Sequence, residues 1–122
     1  MIVIESLHHT GLTVANIEKS ITFYKDLFDF EVIEKLSGTG QAFLKIGDIL
    51  LGLYESEGYK AKDNKSRIAF YVDEEDFDDA VEELEESGIK IVYGPENLRG
   101  GQSVVFLDPD GNQIELAYPS IG

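Results

Sequence analysis

Apolar and polar residues along this chain alternate with a period of two, shift to a period near 3.6, and return to two; the same sequence of shifts then occurs again. Residues 8–14 alternate, with Leu12 and Val14 on one face and His9, Gly11 and Thr13 on the other, which predicts a strand. Asn16 then stands as an N-cap. Ile17, Ile21, Tyr24, Leu27 and Phe28 form the inner stripe of a helix reaching about Phe28. Residues 30–36 are β-rich, and residues 41–46 and 49–54 flank Gly47-Asp48, a two-residue hairpin signal. Polar residues 55–65 read as a linker. The second half opens with a strand over 66–72. A helix follows from Asp73 to about Ser87, with Phe77, Ala80, Val81 and Leu84 at i, i+3, i+4, i+7 and Gly88 as its C′ residue. A strand over 89–93, a loop over 94–102, and strands over 103–107 and 113–118 about the turn at 108–112 complete it.

The halves also match residue by residue. Leu12 and Val14 align with Phe70 and Val72, and His9 with Arg67, at one offset of 58. Leu51 aligns with Glu115 at an offset of 64. Two units too small to bury a face alone predict paired modules around a shared groove. The reading is an α+β fold: one domain over residues 1–122, made of two βαβββ modules of about 1–58 and 65–122. The apolar faces of the opening strands turn toward the helices, so His9 and Arg67 point the other way. Ile114 and Leu116 are apolar, so Glu115 points away from them, with Leu51 as its counterpart. Ile49, Leu51 and Leu53 then line a cup with Phe43, Ala69, Tyr71 and Ala117, which suits a hydrophobic or aromatic ligand. The alternative is that these residues pack against one another or a partner subunit. Arg67 together with Arg99, from the glycine-rich loop, suits a carboxylate or phosphate. Glu55, two residues beyond Leu53, is a candidate extra ligand at the rim.

Charge changes this picture little. The net charge of −14 argues against nucleic acid, but ten of the 24 acids fall between Asp73 and Glu86, as the solvated face of one helix. The absence of cysteine excludes disulfides and thiolate sites. No apolar run approaches the roughly 18 residues of a membrane span. The start lacks the marks of a signal peptide, so the expected location is the cytoplasm.

His9-Thr-Gly-Leu-Thr-Val14, Ile17-Glu-Lys-Ser20, Phe23-Tyr24-Lys-Asp-Leu27 and Asp108-Pro-Asp-Gly-Asn-Gln-Ile-Glu115-Leu resemble the vicinal oxygen chelate superfamily. That superfamily includes glyoxalase I, fosfomycin-resistance proteins, extradiol dioxygenases and bleomycin-binding proteins. The resemblance spans essentially the whole chain. It implies paired βαβββ modules forming a cupped mixed sheet, completed by a second chain in a homodimer. Whether the modules pair within a chain or swap between chains stays open. The resemblance also implies metal ligands at four equivalent positions. His9 matches the first histidine and Glu115 the last glutamate. Arg67 stands where a second histidine is usual, and Leu51 where some members place Glu or Gln. Two ligands fall short of the usual three or four, and a guanidinium has no lone pair to give. Arg67 is expected to pair bidentately with Glu115, filling the place of the metal. The expectation is therefore a binding protein for a small molecule, of the bleomycin-resistance kind and without a cofactor. The alternative is a glyoxalase-I-like lyase or isomerase that depends on a divalent metal (Ni, Co, Zn or Mn), with His9 and Glu115 as ligands and Glu115 able to move a proton. A scaffold or regulatory partner without a small ligand is the third reading.

Overall fold

The computed structural model describes residues 1–36 and 38–121. The chain divides into two compact units, Met1–Lys60 and Ala61–Gly122. The first contains β1 (Thr10–Val14), α1 (Ile17–Phe28), β2 (Glu31–Leu36), β3 (Gln41–Ile46) and β4 (Ile49–Glu55). Its strands run in the order β1-β4-β3-β2, with β1 parallel to β4 and the other pairs antiparallel. The second contains β5 (Arg67–Tyr71), α2 (Glu74–Glu86), β6 (Ile91–Leu98), β7 (Gly101–Leu107) and β8 (Gln113–Tyr118), in the order β5-β8-β7-β6. Each unit is thus a βαβββ module with a four-stranded mixed sheet, and the class is α+β as the periodicity predicts. No helix is long and apolar enough to cross a membrane among the described residues.

Local chemistry explains the helices. Asn16 is extended and its side chain accepts from the Lys19 backbone N–H at 3.0 Å. Glu55 accepts from the Ile17 N–H at 2.9 Å. Two of the orphan donors of the first turn are satisfied in this way. Glu55 is therefore a cap for α1, not the rim ligand considered above. Ile17, Ile21 and Tyr24 are buried where α1 packs on β3 and β4. In α2, Phe77, Val81 and Leu84 are buried and the acids are turned outward. Asp73 precedes α2 without capping it, because its carboxylate accepts from the Tyr71 hydroxyl at 2.5 Å.

Strand register corrects one alignment. Thr10 pairs with Leu51 in the first unit, and Ile68 pairs with Ile114 in the second. Leu51 is thus the counterpart of Ile114, and Gly52 is the counterpart of Glu115; the closing strands repeat at an offset of 63, one less than expected. A shift of one residue exchanges the faces of a strand. Leu51 and Leu53 are 1% and 0% exposed and belong with Val14, Ala42 and Leu44 in the core beneath α1. The expectation that Leu51 and Leu53 line a ligand cup is replaced by a packing role. The open face of β4 instead carries Leu50, Gly52 and Tyr54.

The second difference lies in β6. Gly94 and Pro95 suggest a loop, yet β6 continues to Leu98. It is an edge strand, where proline's missing N–H is tolerated. Its pairing with β7 shifts register between Ile91 and Tyr93 and again between Tyr93 and Glu96, which absorbs the two residues as irregularities. Only Arg99 and Gly100 remain as the turn, at φ 51° and 78°, with the two positive values that a type I′ hairpin requires.

Leu51→Ala should lower the free energy of unfolding by about 2–5 kcal/mol in urea titration, the usual cost of a cavity at a fully buried leucine. A loss below about 1 kcal/mol would return Leu51 to an open face.

Candidate functional site

Each unit brings one candidate cluster to the open face of its sheet. In the second unit the centre is Glu115, 5% exposed on β8. β5 contributes Arg67, whose Nη1 lies 3.5 Å from Glu115 Oε1. The β6–β7 turn contributes Arg99, which donates to Glu115 Oε2. Ser103 on β7 donates to the same oxygen at 2.9 Å. Alternation places these groups together: Glu115 pairs in register with Ala69 and Val105, and Ser103 with Ala117. Burial alone pushes the Glu115 carboxyl up. The hydrogen bonds from Ser103 and Arg99, the Arg99 charge and the hydrogen bond from Arg67 outweigh it and hold the carboxyl below the ordinary carboxylate range. The carboxylate is therefore ionised at neutral pH.

The expected bidentate pairing of Arg67 with Glu115 does not form. Arg67 makes one contact at the outer limit of hydrogen-bond distance, while its guanidinium also lies over the Tyr93 ring, 5.5 Å from the centroid. Arg99 is the close partner, because its turn carries it back toward β8. The Arg67 and Arg99 side chains are 35% and 41% exposed, and each guanidinium carries five N–H donors, so donors beyond those directed at Glu115 can serve an anion. Beside Arg99 a groove of about 260 Å³ is lined also by Ala69, Tyr71, Ala117, Pro119 and Ile121. Tyr71, expected in the ligand site, lies at this groove and is 58% exposed. Its bond to Asp73 raises the pKa of its hydroxyl.

In the first unit the centre is His9. Its Nε2 and the Tyr54 hydroxyl are hydrogen-bonded at 2.6 Å, and its Nδ1 lies 2.8 Å from Nδ1 of His8. Phe43, expected in the ligand site, meets the His9 ring edge-on at 5.3 Å between centroids. The Tyr54 ring rests on two glycines that pair across β1 and β4, Gly11 and Gly52. A Cβ on Gly11 would stand 2.9 Å from Tyr54 Cε2, and one on Gly52 3.1 Å from its hydroxyl.

Tyr54, Ser103 and Tyr93 were missed in the sequence. The correct register would have found Tyr54, two residues from Gly52 on the same face. Alternation from Val105 would have found Ser103. Among the described residues, no three His, Cys, Asp or Glu side chains gather in a cluster that could hold a metal ion.

Comparison with known proteins bears directly on this site. The metallothiol transferase FosB of Staphylococcus epidermidis is 33% identical over 117 residues, spanning 93% of this chain and 81% of the relative. The glutathione transferase FosA of Serratia marcescens is 34% identical over 122 residues, spanning 97% and 84%. The crystal structure of the fosfomycin resistance protein FosX from Listeria monocytogenes, complexed with Mn(II) and a sulfate ion, superposes with a TM-score of 0.83 at 25% identity, over 98% of this chain and 94% of the other. These findings overturn the expectation of a protein without a cofactor: one relative is named for its metal and a solved homologue holds one. They favour the metal-dependent alternative over the metal-free binding protein. The model for the Glyoxalase/Bleomycin resistance protein/Dioxygenase superfamily matches residues 6–116, and the chain belongs to that superfamily.

Proposed function

We propose that this protein is a metal-dependent enzyme that transfers a thiol to a small anionic electrophile of the fosfomycin type. The observation that carries the reading is the retention of an imidazole at position 9 and a buried, ionised carboxylate at position 115, in a chain 33% identical to a metallothiol transferase. His9 and Glu115 are the proposed protein donors to the cation, with Mn(II) as the first choice from the FosX complex. The donor chemistry fits in part. Imidazole and carboxylate both suit a divalent ion, while Arg67 offers no lone pair and adds positive charge. The two modules pairing as one domain, a homodimer and a cytoplasmic location belong to the same proposal.

A bound divalent ion supplies Lewis acidity toward a substrate oxygen. The chain's own groups do the rest. Arg99 and Arg67 hold the anionic end of the substrate through their open N–H donors. Ser103 fixes the Glu115 carboxylate by hydrogen bonding. Tyr71 supplies apolar surface beside Arg99, and Phe43 does the same beside His9. In the transfer itself a sulfur–carbon bond forms as a carbon–oxygen bond of the electrophile breaks. The thiol proton ends on the released oxygen.

Incubation with fosfomycin, Mn(II) and a thiol such as glutathione should give the thiol adduct by mass spectrometry. Omitting Mn(II) should abolish it. Failure to form an adduct with glutathione, cysteine or other cellular thiols would remove fosfomycin as the substrate. Separately, Arg67→His should raise Mn(II) affinity at least about tenfold by restoring a nitrogen donor in place of a cation. Unchanged affinity would show that position 67 stands outside the metal environment.

A further inference from the structure

Arg67 leaves the proposed cation one donor short, and the first unit holds a side chain placed to make up the deficit. We infer that Tyr54 is a third protein ligand, binding the same ion as His9 through its phenolate oxygen. The inference rests on the metal-dependent reading above and concerns only groups within the first unit.

Three observations carry it. First, the Tyr54 oxygen lies 2.6 Å from His9 Nε2. Two donors bound to one cation at about 2.1 Å each stand roughly 3 Å apart at right angles, so opening the pair by a few tenths of an ångström admits the ion. Second, the other nitrogen of His9 is already engaged by His8 at 2.8 Å, the outer-shell support that fixes a ligating imidazole and aims its free nitrogen. Third, space has been cleared for the phenol. Gly11 and Gly52 face each other across β1 and β4, and a Cβ on either would press on the Tyr54 ring. Tyr54 also stands two residues along β4 from Gly52, the counterpart of Glu115. It therefore lies on the open face of its own sheet, the equivalent of the face on which the second unit presents its carboxylate. Tyrosine is an established ligand of iron. On binding, the phenol O–H bond breaks, an oxygen–metal bond forms, and the proton passes to the buffer.

The test compares the full chain with Tyr54→Phe, which keeps the ring on its glycine floor and removes only the hydroxyl; circular dichroism and thermal unfolding verify that it folds. Mn(II) binding is followed by the electron paramagnetic resonance signal of the free ion. Fe(III) serves as a second probe, because a ferric phenolate absorbs in the visible. The expected result is at least tenfold weaker Mn(II) binding by Tyr54→Phe, loss of the visible band with Fe(III), and about one fewer proton released per ion in calorimetry across buffers. Equal or tighter Mn(II) binding by Tyr54→Phe, or a visible band that survives the substitution, overturns the assignment. His9→Ala and Glu115→Gln separate the two levels. If both weaken binding while Tyr54→Phe does not, the enzyme reading stands and only the tyrosine ligand falls. If the unaltered chain binds no Mn(II), both fall together.

Discussion

A strand shows alternate residues to opposite sides, and in each unit one side is closed by a helix. That constraint fixes which residues remain for chemistry. Leu51 and Leu53 lie under α1 with Val14, Ala42 and Leu44, and burying a leucine side chain contributes about 1.5–3 kcal/mol. A slip of β4 by one residue would send both leucines into water and bring Gly52 and Tyr54 inside. The second unit is fixed in the same way by Val104, Phe106, Ile114 and Leu116, all buried. Glu115, Arg67 and Ser103 are left on the open face because their neighbours in sequence are held on the other.

From this constraint follows the contrast between the two clusters. The second unit concentrates charge: one buried carboxylate with two guanidinium groups and a hydroxyl. The first is aromatic: an imidazole between Tyr54, Phe43 and His8. The repeat supplied equivalent backbone positions, and the side chains then diverged. A glycine faces outward where its counterpart is a glutamate, and an imidazole where its counterpart is an arginine.

Much of this was legible in the sequence. Both helices, the hairpin at Gly47-Asp48, the final strand and the facing of His9 and of Glu115 away from the helix side follow from periodicity and turn chemistry. The open register of β4 did not, since five apolar or small residues from Ile49 to Leu53 fit either face and only the paired backbone decides between them. The extent of β6 escaped for a different reason. Gly94 and Pro95 break a central strand, and the sequence does not say which strands stand at the edge. Arg99 could be named as a candidate but not aimed, because its direction depends on a turn two residues long. The metal was misjudged by weighing Arg67 as a replacement for the cation; one relative is a metallothiol transferase and a solved homologue is complexed with Mn(II).

Arg99 sits at φ 51° in a turn that favours asparagine or glycine. A left-handed backbone at a residue with a long side chain costs on the order of 1 kcal/mol. Glycine at this point would ease the hairpin and strengthen the fold, while removing the guanidinium that grips Glu115. Arginine at this point therefore trades ease of the hairpin for a second cation on the Glu115 carboxylate, a balance that thermal robustness alone would tip toward glycine.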